Sequence, residues 1–176
     1  ASYSDAGVPA GVCFQHRTRA ASKALKDRLS SDELGEVVHV DIRVPWWRDQ
    51  IYYDEPGRGS YARDGGGVMI NQAIHSLDLA LWLSGPVAKV QAQMRTSQLH
   101  RMEGEDIASA LFEFASGASG TLSASTTAYP GDSESIAITT TKAQVLLRGD
   151  MLRIDWHDGA QDMIKPDTDA GTGGGA

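Results

Sequence analysis

Cysteine is almost missing from this sequence: of 176 residues, only Cys13 carries a thiol. A single thiol excludes an internal disulfide framework and any cysteine-rich metal centre. Basic charge is short as well. Sixteen Lys and Arg stand against 23 Asp and Glu, a formal net charge of −7. Binding nucleic acid by counterion release requires the opposite balance, so no nucleic-acid partner is expected. No apolar run nears the roughly 20 residues of a membrane helix, and no charged-then-apolar leader opens the chain. Those absences predict a soluble, cytoplasmic protein with no membrane partner. Apolar residues still make up 41% of the chain and charged ones 22%, enough to build a packed core and too apolar for wholesale disorder.

The acidic excess is confined to one region. Residues 101–176 hold five basic against twelve acidic side chains, whereas the first hundred residues are balanced. The last ten, DTDAGTGGGA from Asp167, show no apolar periodicity and read as a flexible tail. Residues 1–166 are then one domain, a length that suits a single core.

Within it, Val12, Cys13 and Phe14 form a short apolar run that suits a buried strand, with Cys13 as core packing. Helix formers occupy 18–30, with Ala21, Leu25 and Leu29 on one face. Residues 36–44 alternate, Val38, Val40, Ile42 and Val44 facing one way and His39, Asp41 and Arg43 the other, which predicts a strand with two different faces. A second helix is expected from the glycine triplet at 65–67 to Leu83, stopped by Ser84-Gly85-Pro86. Short β-rich runs follow at 87–95, 107–114, 120–127, 135–141, 144–147 and 151–156. No helices separate them, so the sheet is expected to be mostly antiparallel, with two helices on one face: an α+β fold.

Two segments carry candidate chemistry. Residues 45–64, PWWRDQIYYDEPGRGSYARD, hold two of the four Trp and three of the five Tyr beside Arg48, Arg58 and Arg63. A long irregular segment inside a compact domain is usually functional, and aromatic plus Arg side chains suit the wall of a sugar pocket. The alternative is that Trp46 and Trp47 simply plug the loop onto the core. The other segment, VMINQAIHSLDLALWL from Val68, is apolar nearly all round and should be buried. On an α-helix its Asn71, His75, Asp78 and Trp82 fall within roughly 60° of one another. Burying such a polar stripe without partners costs several kcal/mol, so it should face a cleft, a ligand or itself. Three readings remain open: an acid/base site at His75 oriented by Asn71 or Asp78, an incomplete metal site through His75 and Asp78, or a core histidine bonded to Asp78. Asp64 could cap the helix, or its positive end could meet a ligand across the glycines.

The block from Gly65-Gly66-Gly67 through Asn71 and His75-Ser76-Leu77-Asp78 resembles the signature helix of the glucose–fructose oxidoreductase/inositol dehydrogenase/rhizopine-catabolism (Gfo/Idh/MocA) family of NAD(P)-dependent oxidoreductases. Glu33-Leu34-Gly35-Glu36-Val37-Val38 and the Trp/Arg/Tyr-rich loop are similar to that family's C-terminal domain. The resemblance implies an open, mostly antiparallel sheet of the kind found in two-domain dehydrogenases of the glyceraldehyde-3-phosphate dehydrogenase type. It also implies a preceding Rossmann domain that holds NAD or NADP and supplies a catalytic lysine; no strand–GxGxxG–helix unit occurs in these 176 residues. By the same resemblance His75 is the acid/base for a substrate hydroxyl. Asn71, which cannot ionise, orients the hydroxyl or the imidazole. Trp46, Arg48, Tyr53, Arg63 and Asp78 contact a polyol, sugar or sugar-nucleotide substrate, and Gly66 and Gly67 sit near the nicotinamide. The open sheet face, rich in Thr121, Ser123, Ser125, Thr139 and Thr141, is the implied contact of a homo-oligomer.

No metal is expected. His16, His39, His100 and His157 read as surface residues, Glu103, Glu105 and Asp106 as a solvated turn, and Arg43 as a residue that could reach the cleft. The competing function is a non-catalytic ligand-binding or oligomerisation module with a structural His/Asp pair.

Overall fold

In the computed structural model, which describes residues 7–9 and 11–165, strand β1 (Val37–Pro45) decides which side of the sheet becomes the core. Val40, Ile42 and Val44 are fully buried on one face, while Asp41 and Arg43 point to the other. Val38 shares their parity but is exposed where the pairing shifts register between Val37 and His39. The stretch 167–176, expected as a flexible tail, lies outside the described residues.

The other strands are β2 (Val87–Arg95), β3 (Ile107–Phe114), β4 (Ser119–Ser125), β5 (Ser135–Thr140), β6 (Ala143–Arg148), β7 (Met151–Trp156) and β8 (Gln161–Ile164). They form one sheet in the order β2-β3-β4-β1-β5-β6-β7-β8. Every pairing is antiparallel except β1 with β4, which run parallel. The exception follows from connectivity: the chain leaves β1 through helices, starts again at the far edge, and the β2–β3–β4 meander returns to lay β4 beside β1.

The helical elements are a 3₁₀ turn (Gln15–Thr18), α1 (Ala20–Ser30), α2 (Gln50–Tyr53), α3 (Tyr61–Asp64), a π-helical turn (Met69–Ala73) and α4 (Ile74–Ser84). Leu25 of α1 and Leu79, Ala80 and Leu83 of α4 close one core with Ile136, Ile138, Val145, Leu152 and Ile154 of the sheet. Each aliphatic side chain buried this way contributes about 1.5–3 kcal/mol relative to exposure. Gly85 ends α4 at φ 93°, a left-handed conformation that favours glycine, and its amide donates to Leu81 O.

Three local expectations are corrected. Val12 and Cys13 are exposed and lie in no strand, because no neighbouring strand offers them a ladder. Segment 45–64 is not wholly irregular: the Asp49 side chain accepts from Tyr52 N and the Ser60 side chain from Arg63 N, capping the one-turn helices α2 and α3. The edge strand β8 was not expected. It follows a Gly159 turn and contributes Ile164 to the core.

Candidate active site

The glycine triplet leads into the helix that carries His75, but not as a ligand cradle. Gly66 and Gly67 are buried against the backbone of 104–105, where a Cβ on Gly67 would overlap Glu105. The Glu105 carboxylate accepts from Gly67 N at 3.2 Å and Met69 N at 2.9 Å, and its carbonyl accepts from Val68 N at 2.7 Å. The positive end of the helix is therefore already occupied by a carboxylate of the same chain. Of the two glycines that the resemblance sets near the nicotinamide, Gly67 has its amide already bonded within the chain. Asp64 does not cap this helix either; its carboxylate accepts from Gly59 N. Glu105 is buried, not part of a solvated turn.

The stripe is broken by the next turn. The chain between Met69 and Ala73 is π-helical, so each residue advances through a smaller angle than in an α-helix, and Asn71 leaves the alignment that α-helical spacing predicts. Its amide donates to Gly66 O and Gly67 O, both at 3.0 Å. Asp78 is not the partner of His75. Arg17 grips it with two hydrogen bonds, Nε to Oδ2 at 2.7 Å and Nη2 to Oδ1, and Asp78 is buried. That pair ties α4 to the 3₁₀ turn. It replaces the expected His/Asp contact and removes Asp78 from a substrate wall.

His75 itself is half-buried. Its Nδ1 is buried with no hydrogen-bond partner. Phe14 meets it edge-on at 6.1 Å between centroids, and His16 lies 5.3 Å away at a 41° tilt. His16, expected at the surface, is 6% exposed. Burial, helped by the Arg19 charge, pushes the His16 imidazole below its ordinary value, against the opposing pull of Glu134.

The loop residues separate into two groups. Trp46 and Arg48 line a crevice of about 230 Å³ with Pro130, Gly131 and Asp132, and the Arg48 guanidinium lies 5.4 Å from the Trp46 ring and 5.2 Å from that of Tyr52. Trp46 also packs on the core, as the plug reading expects. Tyr53 and Arg63 line no common pocket with them. Tyr53 is buried, bonded to Thr126 Oγ1 at 2.7 Å and tilted 56° against the His100 ring at 4.7 Å between centroids; burial pushes its phenol up. Arg63 turns back on its own loop, to Glu55 and Pro56 O.

Beneath that loop lies a buried knot. Asp106, 0% exposed, accepts from Ser97 N, Ser97 Oγ and His100 Nδ1 at 2.6–2.7 Å. His100 Nε2 donates to Arg48 O at 2.9 Å. Both residues were expected in solvent. Arg43 does not reach His75: it lines a depression of about 540 Å³ with Tyr129, Ser135 and Arg148 on the opposite sheet face. Among the described residues, no three His, Cys, Asp or Glu side chains are grouped to hold a metal. None of their helices is long and apolar enough to cross a membrane.

Residues 22–146 match the model of the GFO/IDH/MocA C-terminal domain. Among solved structures, the chain is similar to the WlbA dehydrogenase of Chromobacterium violaceum, determined with NADH and UDP-GlcNAcA. The identity is 34%, covering 84% of this chain and 43% of that one, with a TM-score of 0.77. The WlbA dehydrogenase of Bordetella pertussis, with the same two ligands, is 33% identical over 94% of this chain and 47% of its own, with a TM-score of 0.79. Levoglucosan dehydrogenase, solved with NADH and levoglucosan, shares the fold at 16% identity and a TM-score of 0.80, over 90% of this chain and 47% of that one. No curated protein sequence matches. The chain spans less than half the length of these solved relatives. It belongs to the GFO/IDH/MocA family, and its sequence and fold are those of that family's C-terminal domain.

Proposed function

We propose that this chain is the substrate-side domain of an NAD(P)-dependent oxidoreductase that acts on a CH–OH group of a sugar nucleotide, with His75 as acid/base. The observation that carries the reading is the position of His75. It stands one residue past a π-turn, a feature frequent at functional sites, and is only half-buried, with its Nδ1 buried and unpartnered. A buried, unpartnered nitrogen is costly in a residue that serves only the scaffold. Sugar nucleotides are favoured among carbohydrate substrates by the two WlbA relatives above 30% identity, both solved with one.

At the start of the His75 helix the Gly67 and Met69 amides are already held by the Glu105 carboxylate, so they are not free for a phosphate. A nicotinamide coenzyme held by a nucleotide-binding half would supply the hydride chemistry. The chain's own residues do the rest. His75 takes the hydroxyl proton, Trp46 and Arg48 offer a crevice wall to the substrate, and the Arg17–Asp78 pair fixes the helix that carries the imidazole. Asn71, spent on Gly66 O and Gly67 O, acts by holding the π-turn. The open sheet face, where Thr121 donates to Asp41 and Leu111 is exposed, supports the reading of a contact between copies.

The test is His75→Ala in the full protein. kcat is expected to fall by about 10²–10⁴-fold, the ordinary weight of a general acid/base. Turnover within a few fold of wild type, in a folded variant, defeats the assignment. The chain by itself is expected to show no turnover.

A further inference from the structure

The depression of about 540 Å³ on the sheet face away from the helices has no part in the chemistry above. Its size falls within the roughly 300–1,000 Å³ of small-molecule sites. Two guanidiniums line it, Arg43 of β1 and Arg148 of β6, with Ser133, Ser135 and Tyr129. A single carboxylate joins them. Asp132 accepts from Arg148, and its carboxyl is held below the ordinary range chiefly by that bond, with the Ser133 amide and Arg43 adding to it. Among the described residues Arg43 forms no ion pair, and Asp41, the next residue on its face of β1, is taken by Thr121. Two cations against one anion make a positive hollow in a chain of net charge −7. The patch read as a contact between copies, Thr121 and Leu111, lies on β4 and β3 and does not line it.

The segment that walls this hollow also leads toward His75. Glu134, between the two serines, lies 3.8 Å from His16 Nε2, and the His16 ring is 5.3 Å from that of His75. Through Pro130, Gly131 and Asp132 the same segment closes the crevice of Trp46 and Arg48. Tyr129 stands at its tip, 79% exposed, with Trp47 edge-on to it at 5.4 Å between centroids. A diphosphate suits two guanidiniums, because each can donate paired hydrogen bonds to phosphate oxygens. An exposed aromatic face suits the stacking of a nucleobase.

We propose that this depression is a nucleoside-diphosphate subsite: Arg43 and Arg148 hold the diphosphate, which displaces Asp132 from Arg148, and the base stacks on Tyr129. The inference rests on the sugar-nucleotide reading above, but its binding measurements need no turnover.

Inorganic pyrophosphate and UDP are titrated into the full protein and its variants, with the heat of binding as signal. Arg43→Gln, which gives up no ion pair of the folded chain, is expected to weaken both probes by about tenfold or more. Tyr129→Ala weakens UDP severalfold and leaves pyrophosphate unchanged. Asp132→Asn removes the competing carboxylate and frees Arg148, so both probes bind more tightly. Lys89→Gln, the same loss of charge on the edge strand β2, moves neither. A wild type that does not bind UDP, or affinities unmoved in Arg43→Gln, overturns the proposal. So does an effect of Lys89→Gln as large as that of Arg43→Gln, since overall charge is then the cause. Weaker binding in Asp132→Asn, or equal loss of both probes in Tyr129→Ala, overturns the assigned contacts. UDP binding that depends on Arg43, in a protein that does not oxidise sugar nucleotides, keeps the subsite and overturns the substrate reading. Turnover of a sugar nucleotide with KM unmoved by Arg43→Gln does the reverse.

Discussion

His100 and His75 are two histidines of one domain with opposite treatment. Both nitrogens of His100 face oxygen acceptors, Asp106 on one side and Arg48 O on the other, and both side chains of that pair are 1% exposed or less. The inner nitrogen of His75 faces nothing that bonds it. A scaffold histidine is satisfied because an unpaired buried group costs about 1–3 kcal/mol. On the proposed reading, His75 is left unsatisfied at a point where a ring would change its charge.

Exchanging the two sites experimentally should show this most strongly. His75→Ala is expected to remove activity of the full protein by the factor given above while leaving its melting temperature near wild type. His100→Ala should do the reverse. It leaves the buried Asp106 without its histidine partner and releases the loop held through Arg48 O, so stability should fall by about 3–5 kcal/mol, with kcat per folded molecule preserved. Calorimetry alongside steady-state kinetics reads both. A destabilised His75→Ala with normal kcat per folded molecule would put His75 in the same structural class as His100.

Much of the sheet was legible because its information is local. Runs of period two bounded by glycine, aspartate and proline place β2, β3 and β7, and Val40, Ile42 and Val44 declare the buried face of β1. What was hidden depends on contacts across many residues. Nothing near Glu105 says that it closes a helix 36 positions earlier. Nothing near Arg17 points to Asp78, 61 positions away. The angular argument for the polar stripe assumed 100° per residue throughout, and the π-turn breaks that assumption at Asn71. His16 and His100 looked solvated because polar neighbours surround them in sequence. Each is buried by residues distant in the chain, so only the fold could reveal a second imidazole beside His75.

The helix start gives a narrower comparison, between glycines of one triplet. A Cβ on Gly67 overlaps the Glu105 backbone, whereas on Gly65 it meets only Ile70 Cγ1 at 4.0 Å. Gly67→Ala must push the 104–105 segment away and lose the carboxylate contacts to Gly67 N and Met69 N, at a cost of about 3 kcal/mol. Gly65→Ala costs about 1 kcal/mol, since only its positive φ is strained. Equal costs in chemical denaturation would mean that the close approach at Gly67 is dispensable.

The smallest effect expected is a slope. The imidazole of His16 is held below 6.5, its ordinary value, chiefly by burial. Folded protein therefore binds less proton at His16 than unfolded protein over the interval beneath that value. Stability from this source is complete above it, declines as the pH falls through the interval, and stops changing once the folded ring is also protonated. The melting temperature of the wild type should decline from pH 7 toward pH 5.5 more steeply than that of His16→Asn, where no ring is present to charge. Glu134→Gln should steepen the wild-type decline, because losing the carboxylate depresses the folded imidazole further. Parallel melting curves for wild type and His16→Asn would mean that His16 titrates as freely in the folded protein as in the unfolded chain, contrary to its burial beside His75.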